Sequence, residues 1–286
     1  MKKVALRYRY ENLLLVISVI STVLILYFLY NFNYLVTIIA VLVALFYIRL
    51  YQGQYLGNSL QVSDKHFYRL KQVIEEKSNT LNVPEPKLFI TQDPYPNAYT
   101  IGFKHPYSIV LSSSLVEDLT EEELDAVISH ELGHVKFHHA RISSIISPAG
   151  KDILVLTWIF GFWQRATELT ADRISLSITE TPRELITSLI KISVGTKFLS
   201  QIDEEALLGQ SKEIQKSLFN KWGEYLNNHP YLTTRIRNIL DLSKKLELPY
   251  YKGGKMFCVN CGKEVAVSAK FCPECGFNFK EMKGQK

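Results

Sequence analysis

The amino-acid sequence predicts a mainly α-helical fold with a small antiparallel β-sheet, placed between a transmembrane helical hairpin and a four-cysteine unit. Three observations carry this prediction. Two uncharged apolar runs lie within the first 50 of the 286 residues. Apolar residues recur at helical spacing through the middle of the chain, and all four cysteines fall near its end as two Cys-x-x-Cys pairs.

Composition and charge exclude several classes of protein. Charged residues are 21% of the chain, too many for a wholly intramembrane protein and too few for a disordered one. The net charge of +5 does not describe one basic face, because the excess of Lys and Arg is confined to the first ten residues and to the tail from Lys252. We therefore expect no nucleic-acid partner.

The apolar runs predict a membrane anchor in residues 1–56. Leu13–Tyr30 and Tyr34–Ile48 carry no charge, and they predict transmembrane helices over about 12–30 and 34–50. A cleaved signal peptide fits less well, because the second run follows at once. Four basic residues precede the first run and none lies in the turn, which predicts a multi-pass protein of the cell (plasma) membrane with both termini and the remaining domains in the cytoplasm.

A capped helix over about 121–140 carries the first candidate site. Thr120 and Glu123 form a capping-box pattern, and His130-Glu-Leu-Gly-His134 follows. Residues four apart share a helix face, so that His130 and His134 can bind one Zn²⁺. Glu131 is rotated away from that ion and suits a general base acting on water.

A third zinc ligand is expected on a second helix, over about 164–178. Glu168 is the candidate, and Asp172 follows one turn later, placed to orient a ligand imidazole through its second N–H. A solvated helix face is the alternative interpretation of the two carboxylates. His138 and His139 are interpreted as surface or membrane-proximal residues.

Together these motifs resemble the membrane zinc metalloproteases of the HtpX and CAAX-prenyl-protease kind. The resemblance covers roughly residues 60–245 and rests on the His130–His134 motif, Glu168-x-x-x-Asp172, Asn97-Ala-Tyr, and His229-Pro with Arg235. It implies a gluzincin-like α+β peptidase over residues 57–250. His130, His134 and Glu168 would bind the catalytic zinc, with Glu131 as base and Asp172 behind the ligands.

The same resemblance assigns the outer residues. It implies that Asn97, Ala98 and Tyr99 pair with the substrate backbone, that His229 stabilises the oxyanion, and that Arg235 lies near the site as a substrate-binding residue. The runs at 98–103 and 108–111 are rich in strand-forming residues and predict a hairpin beside the cleft. His229-Pro230 has a plain alternative, the start of a helix to Leu246.

One segment departs from the HtpX pattern, which has further spans between the two metal-binding helices. Ile153–Trp163 is apolar for only eleven residues, too short to cross a bilayer. The segment is either a buried helix or one that dips into the membrane, with its aromatic residues at the interface.

The four cysteines predict a zinc ribbon over residues 251–286. Cys258, Cys261, Cys272 and Cys275 have the spacing of a closed structural Zn²⁺ site. Two disulfides are the alternative, which a cytoplasmic location disfavours. The partner of the ribbon is not indicated by the sequence.

The sequence as a whole predicts a membrane-anchored zinc metalloendopeptidase that acts on membrane-associated or misfolded polypeptides, in protein quality control. The alternatives are a CAAX-type prenyl protease and a non-enzymatic membrane scaffold that uses the ribbon to bind a partner.

Overall fold

The computed structural model describes most of the chain, with short gaps in its second half. The described residues are 6–148, 153–202, 204–217, 219, 223–224, 227, 229–248, 250–252, 255–258, 260–261, 263–266 and 269–279. The helices are α1 (Glu11–Phe32), α2 (Tyr34–Gly57), α3 (Tyr68–Leu81), α4 (Ser113–Asp118), α5 (Glu121–Lys136), α6 (His139–Ile146), α7 (Leu154–Thr179), α8 (Pro182–Val194), α9 (Glu204–Lys216) and α10 (Leu232–Lys245), with a 3₁₀ turn at Thr196–Gln201. The strands are β1 (Leu60–Gln61), β2 (Lys87–Thr91), β3 (Ala98–Ile101), β4 (Ser108–Ser112), β5 (Tyr250–Lys252), β6 (Lys255–Phe257) and β7 (Glu264–Ala266).

The predicted helical hairpin is α1 and α2. Both helices are long and apolar enough to cross a membrane, and only 6% of each apolar stretch is buried in the protein. The Asn33 side chain between them accepts a hydrogen bond from the Val36 N–H at 3.1 Å, which caps α2. Helix α2 runs beyond the predicted end at 50, because its last turns pack on the protein, where Gln52 donates to the Ser144 carbonyl at 3.0 Å.

The sheet is mixed, which corrects the antiparallel prediction in part. Its order is β1-β2-β4-β3, and the predicted β3–β4 hairpin is antiparallel. However, β2 and β4 are parallel. The chain leaves β2, forms β3 at the edge of the sheet, and then turns back as β4, which lies between β2 and β3 and runs in the same direction as β2. One consequence matters for the site: within the described residues β3 is an edge strand.

Helix α5 packs against α7 at the centre of the fold. The capping box of Thr120 and Glu123 is formed as predicted. Gly133 lies where the two helices approach most closely, since an added Cβ would be 3.0 Å from the Ala171 Cα. The glycine therefore lets the helix that carries the two histidines sit directly against the helix that carries Glu168.

Helix α5 ends at Lys136, earlier than the predicted 140. His138 has a left-handed backbone conformation (φ 59°), and a new helix, α6, begins at His139. His139, the first residue after this break, is buried.

The apolar segment 153–163 is the first half of α7, not a separate element. Phe160 and Trp163 are buried near α1, and Ser18 of α1 donates to the Ile159 carbonyl at 2.8 Å. On the opposite face Trp158 is 67% exposed, and Leu154 and Val155 are exposed to a similar extent. One face of the segment is thus buried against α1, as the first alternative predicted, and the other is apolar and exposed. Entry of the exposed face into the membrane stays a prediction.

Candidate metal centre and active site

Three side chains from α5 and α7 converge on one point. The Nε2 atoms of His130 and His134 are 3.3 Å apart, and the Glu168 carboxylate lies 3.6 Å and 3.3 Å from them. Ligands bound to one tetrahedral ion at about 2.0–2.1 Å are separated by roughly 3.3–3.4 Å. All three residues are buried, and the donor set of two imidazoles and one carboxylate fits zinc.

His130 is held from behind by a carboxylate and a guanidinium. Its Nδ1 is 3.0 Å from Asp172 Oδ1, and Arg235 donates to the two oxygens of Asp172 at 2.6 and 2.9 Å. Burial by itself raises the pKa of Asp172, but the Arg235 guanidinium and His130 outweigh burial and lower the pKa of this carboxyl. The same contacts fix the ring so that its Nε2 faces Glu168.

Charged neighbours shift the pKa values of His130 and Glu168 in the buried site. Burial by itself lowers the pKa of His130, but Asp172 and Glu168 raise this pKa to about 10. Burial opposes the ionisation of Glu168, yet His229, His130 and His134 hold its pKa well below the usual range. Arg235 and His130 already pair with these carboxylates, and a metal ion bound to Glu168 and His130 would take the place of the proton on the His130 ring.

Glu131 lies beside the three candidate ligands and is hydrogen-bonded to the sheet. Thr100 of β3 donates to its Oε2 at 2.6 Å. Both side chains line a cavity of about 420 Å³ together with His130, His134 and Glu168. Thr100 could not be recognised from the sequence, because the contact depends on how β3 packs against α5.

The outer residues that the resemblance indicated also line this cavity. Asn97, Ala98 and Tyr99 follow its wall along β3. His229 is 68% exposed, with Nδ1 3.1 Å from the Glu168 carboxylate, so that it sits at the open side of the pocket. Arg235 contacts Asp172 and lies 3.3 Å from Glu168.

His138 and His139 were interpreted as surface or membrane-proximal residues; His138 is exposed, but His139 is not a surface residue. The His139 side chain is 1% exposed, and its Nδ1 is 3.2 Å from His134 Nδ1. Burial lowers the pKa of His139 to about 4, although Glu11 opposes this shift. The predicted helix to 140 gave no indication of this contact, because the contact depends on the break at His138 and on the position of Glu11.

The four cysteines form a second candidate metal centre. Their sulfur atoms lie within 4.8 Å of one another, with Cys258–Cys275 and Cys261–Cys272 at 3.5 and 3.6 Å. These separations exclude disulfides, in which sulfur atoms are about 2.05 Å apart. The Phe277 N–H lowers the pKa of Cys275 to about 6, whereas burial raises that of Cys258 to about 12. A bound zinc ion would hold all four as thiolates.

Comparison with known proteins identifies the fold around the first centre. A family model described as peptidase family M48 matches residues 64–158 and 152–243, a region that holds every candidate site residue from Asn97 to Arg235. The chain belongs to peptidase family M48. A zinc-ribbon domain model matches residues 257–279, which include all four cysteines.

Individual M48 relatives and a solved structure are also similar to this chain. It is 32% identical to the plastoglobule-localized metallopeptidase 48 of Arabidopsis thaliana over 67% of this chain and 62% of the plant protein. It is 21% identical to a protease HtpX homolog of Streptococcus pyogenes over 65% of this chain and 78% of that protein. The crystal structure of Ste24p from S. mikatae aligns with 80% of this chain, and the alignment covers 64% of the Ste24p chain, at 17% sequence identity and a TM-score of 0.46. The chain thus spans less than two thirds of the plant relative.

Proposed function

We propose that this M48 protein is a membrane-anchored zinc metalloendopeptidase that hydrolyses peptide bonds of membrane-associated or misfolded polypeptides. One observation carries the proposal: three buried metal-ligand atoms lie at zinc-binding separations in the same cavity as a fourth, acidic side chain, Glu131. A purely structural metal site would have four protein ligands and no open cavity beside it.

Within this proposal His130, His134 and Glu168 hold the ion. Zinc bound there would act as a Lewis acid, polarising the scissile carbonyl and activating water near neutral pH. Thr100 holds Glu131 by its Oε2, and we assign the other oxygen, Oε1, to accept the proton of the attacking water. Glu131 then delivers that proton to the leaving amine. Asp172 and Arg235 act as positioning residues, since the guanidinium of Arg235, which also lines the cavity, pairs with the carboxylates of Asp172 and Glu168.

The substrate backbone is assigned to the edge of β3. One side of this strand is paired with β4, and its residues Ala98 and Tyr99 line the cavity together with Asn97, which precedes the strand. An extended peptide that adds to a sheet edge is held by main-chain hydrogen bonds, so that many sequences are accepted. This mode suits an enzyme that acts on diverse unfolded segments.

The proposed function is tested by casein hydrolysis with the full-length chain in detergent. We expect cleavage that 1,10-phenanthroline abolishes and that added Zn²⁺ restores. Absence of cleavage in the zinc-loaded protein would favour a scaffold over an enzyme.

His229 is proposed to stabilise the oxyanion from the open side of the cavity. Replacing His229 with alanine is expected to lower kcat about 10²–10³-fold with little change in KM, because a donor to the transition state is lost. Steady-state kinetics check this. The zinc content should be unchanged; a loss of zinc would instead make His229 a positioning residue for Glu168.

The protein is a membrane protein, and we propose the multi-pass topology and its orientation. The hairpin (1–56) would cross the bilayer twice, with the peptidase domain (57–250) and the ribbon (251–286) on the cytoplasmic side. The basic N-terminal residues and the exposed apolar face of α7 beside α1 support this arrangement. A C-terminal tag should be digested by added protease in inverted membrane vesicles and protected in right-side-out vesicles; the opposite pattern would reverse the topology.

A further inference from the structure

The second candidate ligand, His134, is connected to the first membrane helix by a chain of buried side chains. His134 Nδ1 is 3.2 Å from His139 Nδ1, and His139 Nε2 is 3.1 Å from the Oε1 of Glu11. Glu11 is the first residue of α1 and is 1% exposed. The chain of contacts therefore runs from the metal site to the start of the membrane anchor.

Glu11 is held firmly at that end. Arg7 donates from Nε to Oε1 at 2.7 Å, and the Thr170 hydroxyl of α7 donates to Oε2. The Tyr8 N–H donates to the same Thr170 hydroxyl at 2.9 Å. The segment before α1 is thereby fixed on the helix that carries Glu168.

The geometry allows only one consistent set of protons once His134 binds a metal through Nε2. Its Nδ1 then carries the hydrogen and donates to Nδ1 of His139. The hydrogen of His139 is then on Nε2, where it faces the Glu11 carboxylate. Every donor in this chain meets an acceptor.

The arrangement parallels that of the first ligand. His130 is backed directly by a carboxylate and an arginine, Asp172 and Arg235. His134 is backed through one intervening imidazole by another such pair, Glu11 and Arg7. Partners of this kind orient a ligand imidazole and raise its basicity.

We propose that Glu11, acting through His139, is a positioning residue of the catalytic metal site, so that the first membrane helix forms part of that site. The proposal rests on the zinc site of the proposed function. It makes the anchor a structural component of the metal centre as well as a tether.

Metal affinity of the full-length chain in detergent tests the proposal without any substrate. Cobalt(II) titration separates the two centres, because only the ribbon gives thiolate charge-transfer bands. We expect Glu11→Leu to weaken metal binding at the histidine site about 10–100-fold and Glu11→Gln to weaken it less, since Gln keeps an acceptor oxygen. The ribbon bands should not change.

A double-mutant cycle distinguishes positioning from a general structural effect. Adding Glu11→Leu to His139→Phe should cause no further loss of affinity, because both changes break one chain. The matched control is Glu123→Gln, which removes another buried carboxylate, 2.7 Å from Lys191 in α8, and should leave metal affinity unchanged.

Two results would overturn the proposal: wild-type metal affinity in either Glu11 variant, or additive losses in the double variant. If Glu11→Leu fails to fold, the same cycle is measured with Glu11→Gln, whose smaller loss of affinity should disappear in the His139→Phe background. Failure of the proposed function would show differently, as intact metal binding without proteolysis.

Discussion

Replacing Glu131 with glutamine is expected to lower casein hydrolysis by roughly 10²–10⁴-fold, to background in an ordinary assay. Glutamine keeps the size of the side chain and an oxygen for the Thr100 hydroxyl, which donates to Glu131 at 2.6 Å. It cannot take up a proton, so that the proposed general base is lost while the ligands of the metal are untouched. The measurement is kcat of the purified full-length variant alongside its zinc content.

The control for this change lies on the same helix. Glu122 is exposed in the first turn of α5, and Glu122→Gln should retain wild-type activity. Cleavage by Glu131→Gln at the wild-type rate would remove Glu131 from the mechanism. Loss of zinc from this variant would show instead that Glu131 supports the metal site.

Replacing Cys258 and Cys272 together with serine is expected to unfold the ribbon. Residues 257–279 match a zinc-ribbon domain, and their small buried cluster consists of Cys258, Val265, Cys272 and Phe279. A unit of this size depends on its metal, and zinc binding by such peptides contributes about 10–16 kcal/mol at pH 7. Trypsin should cut this variant rapidly at Lys263 or Lys270, with the peptidase domain still intact.

A matched substitution separates metal loss from local damage. Glu274 is exposed between Cys272 and Cys275, and Glu274→Gln should leave the ribbon resistant to trypsin. Equal resistance in the double serine variant would mean that the four thiols do not hold a metal that folds this segment.

The sequence predicted the features that depend on local pattern. The capping box and apolar spacing of α5 placed His130, Glu131 and His134 on one helix, as the structure shows. The uncharged runs predicted α1 and α2 because no charge interrupts them over a membrane thickness. Glu168 and Asp172 were found by their spacing on one helix face, which α7 preserves.

Features that depend on distant contacts could not be predicted. Nothing near Glu11 indicates a contact with His139, 128 residues away. The left-handed conformation of His138 ends α5 although the apolar spacing permits its continuation. Likewise, β2 and β4 pair in parallel because of the order of the strands in the sheet. The alternation of apolar and polar residues within each strand does not indicate that order.

We expect this M48 chain to hold one zinc ion for catalysis and another for structure. Zinc content per chain tests it most directly, measured by elemental analysis of the purified full-length wild type and His134→Ala. The two ligand clusters predict two zinc ions in the wild type and one in the variant, with the ribbon zinc retained. A wild type that holds a single zinc ion, unaffected by His134→Ala, would mean that the histidine site binds no zinc.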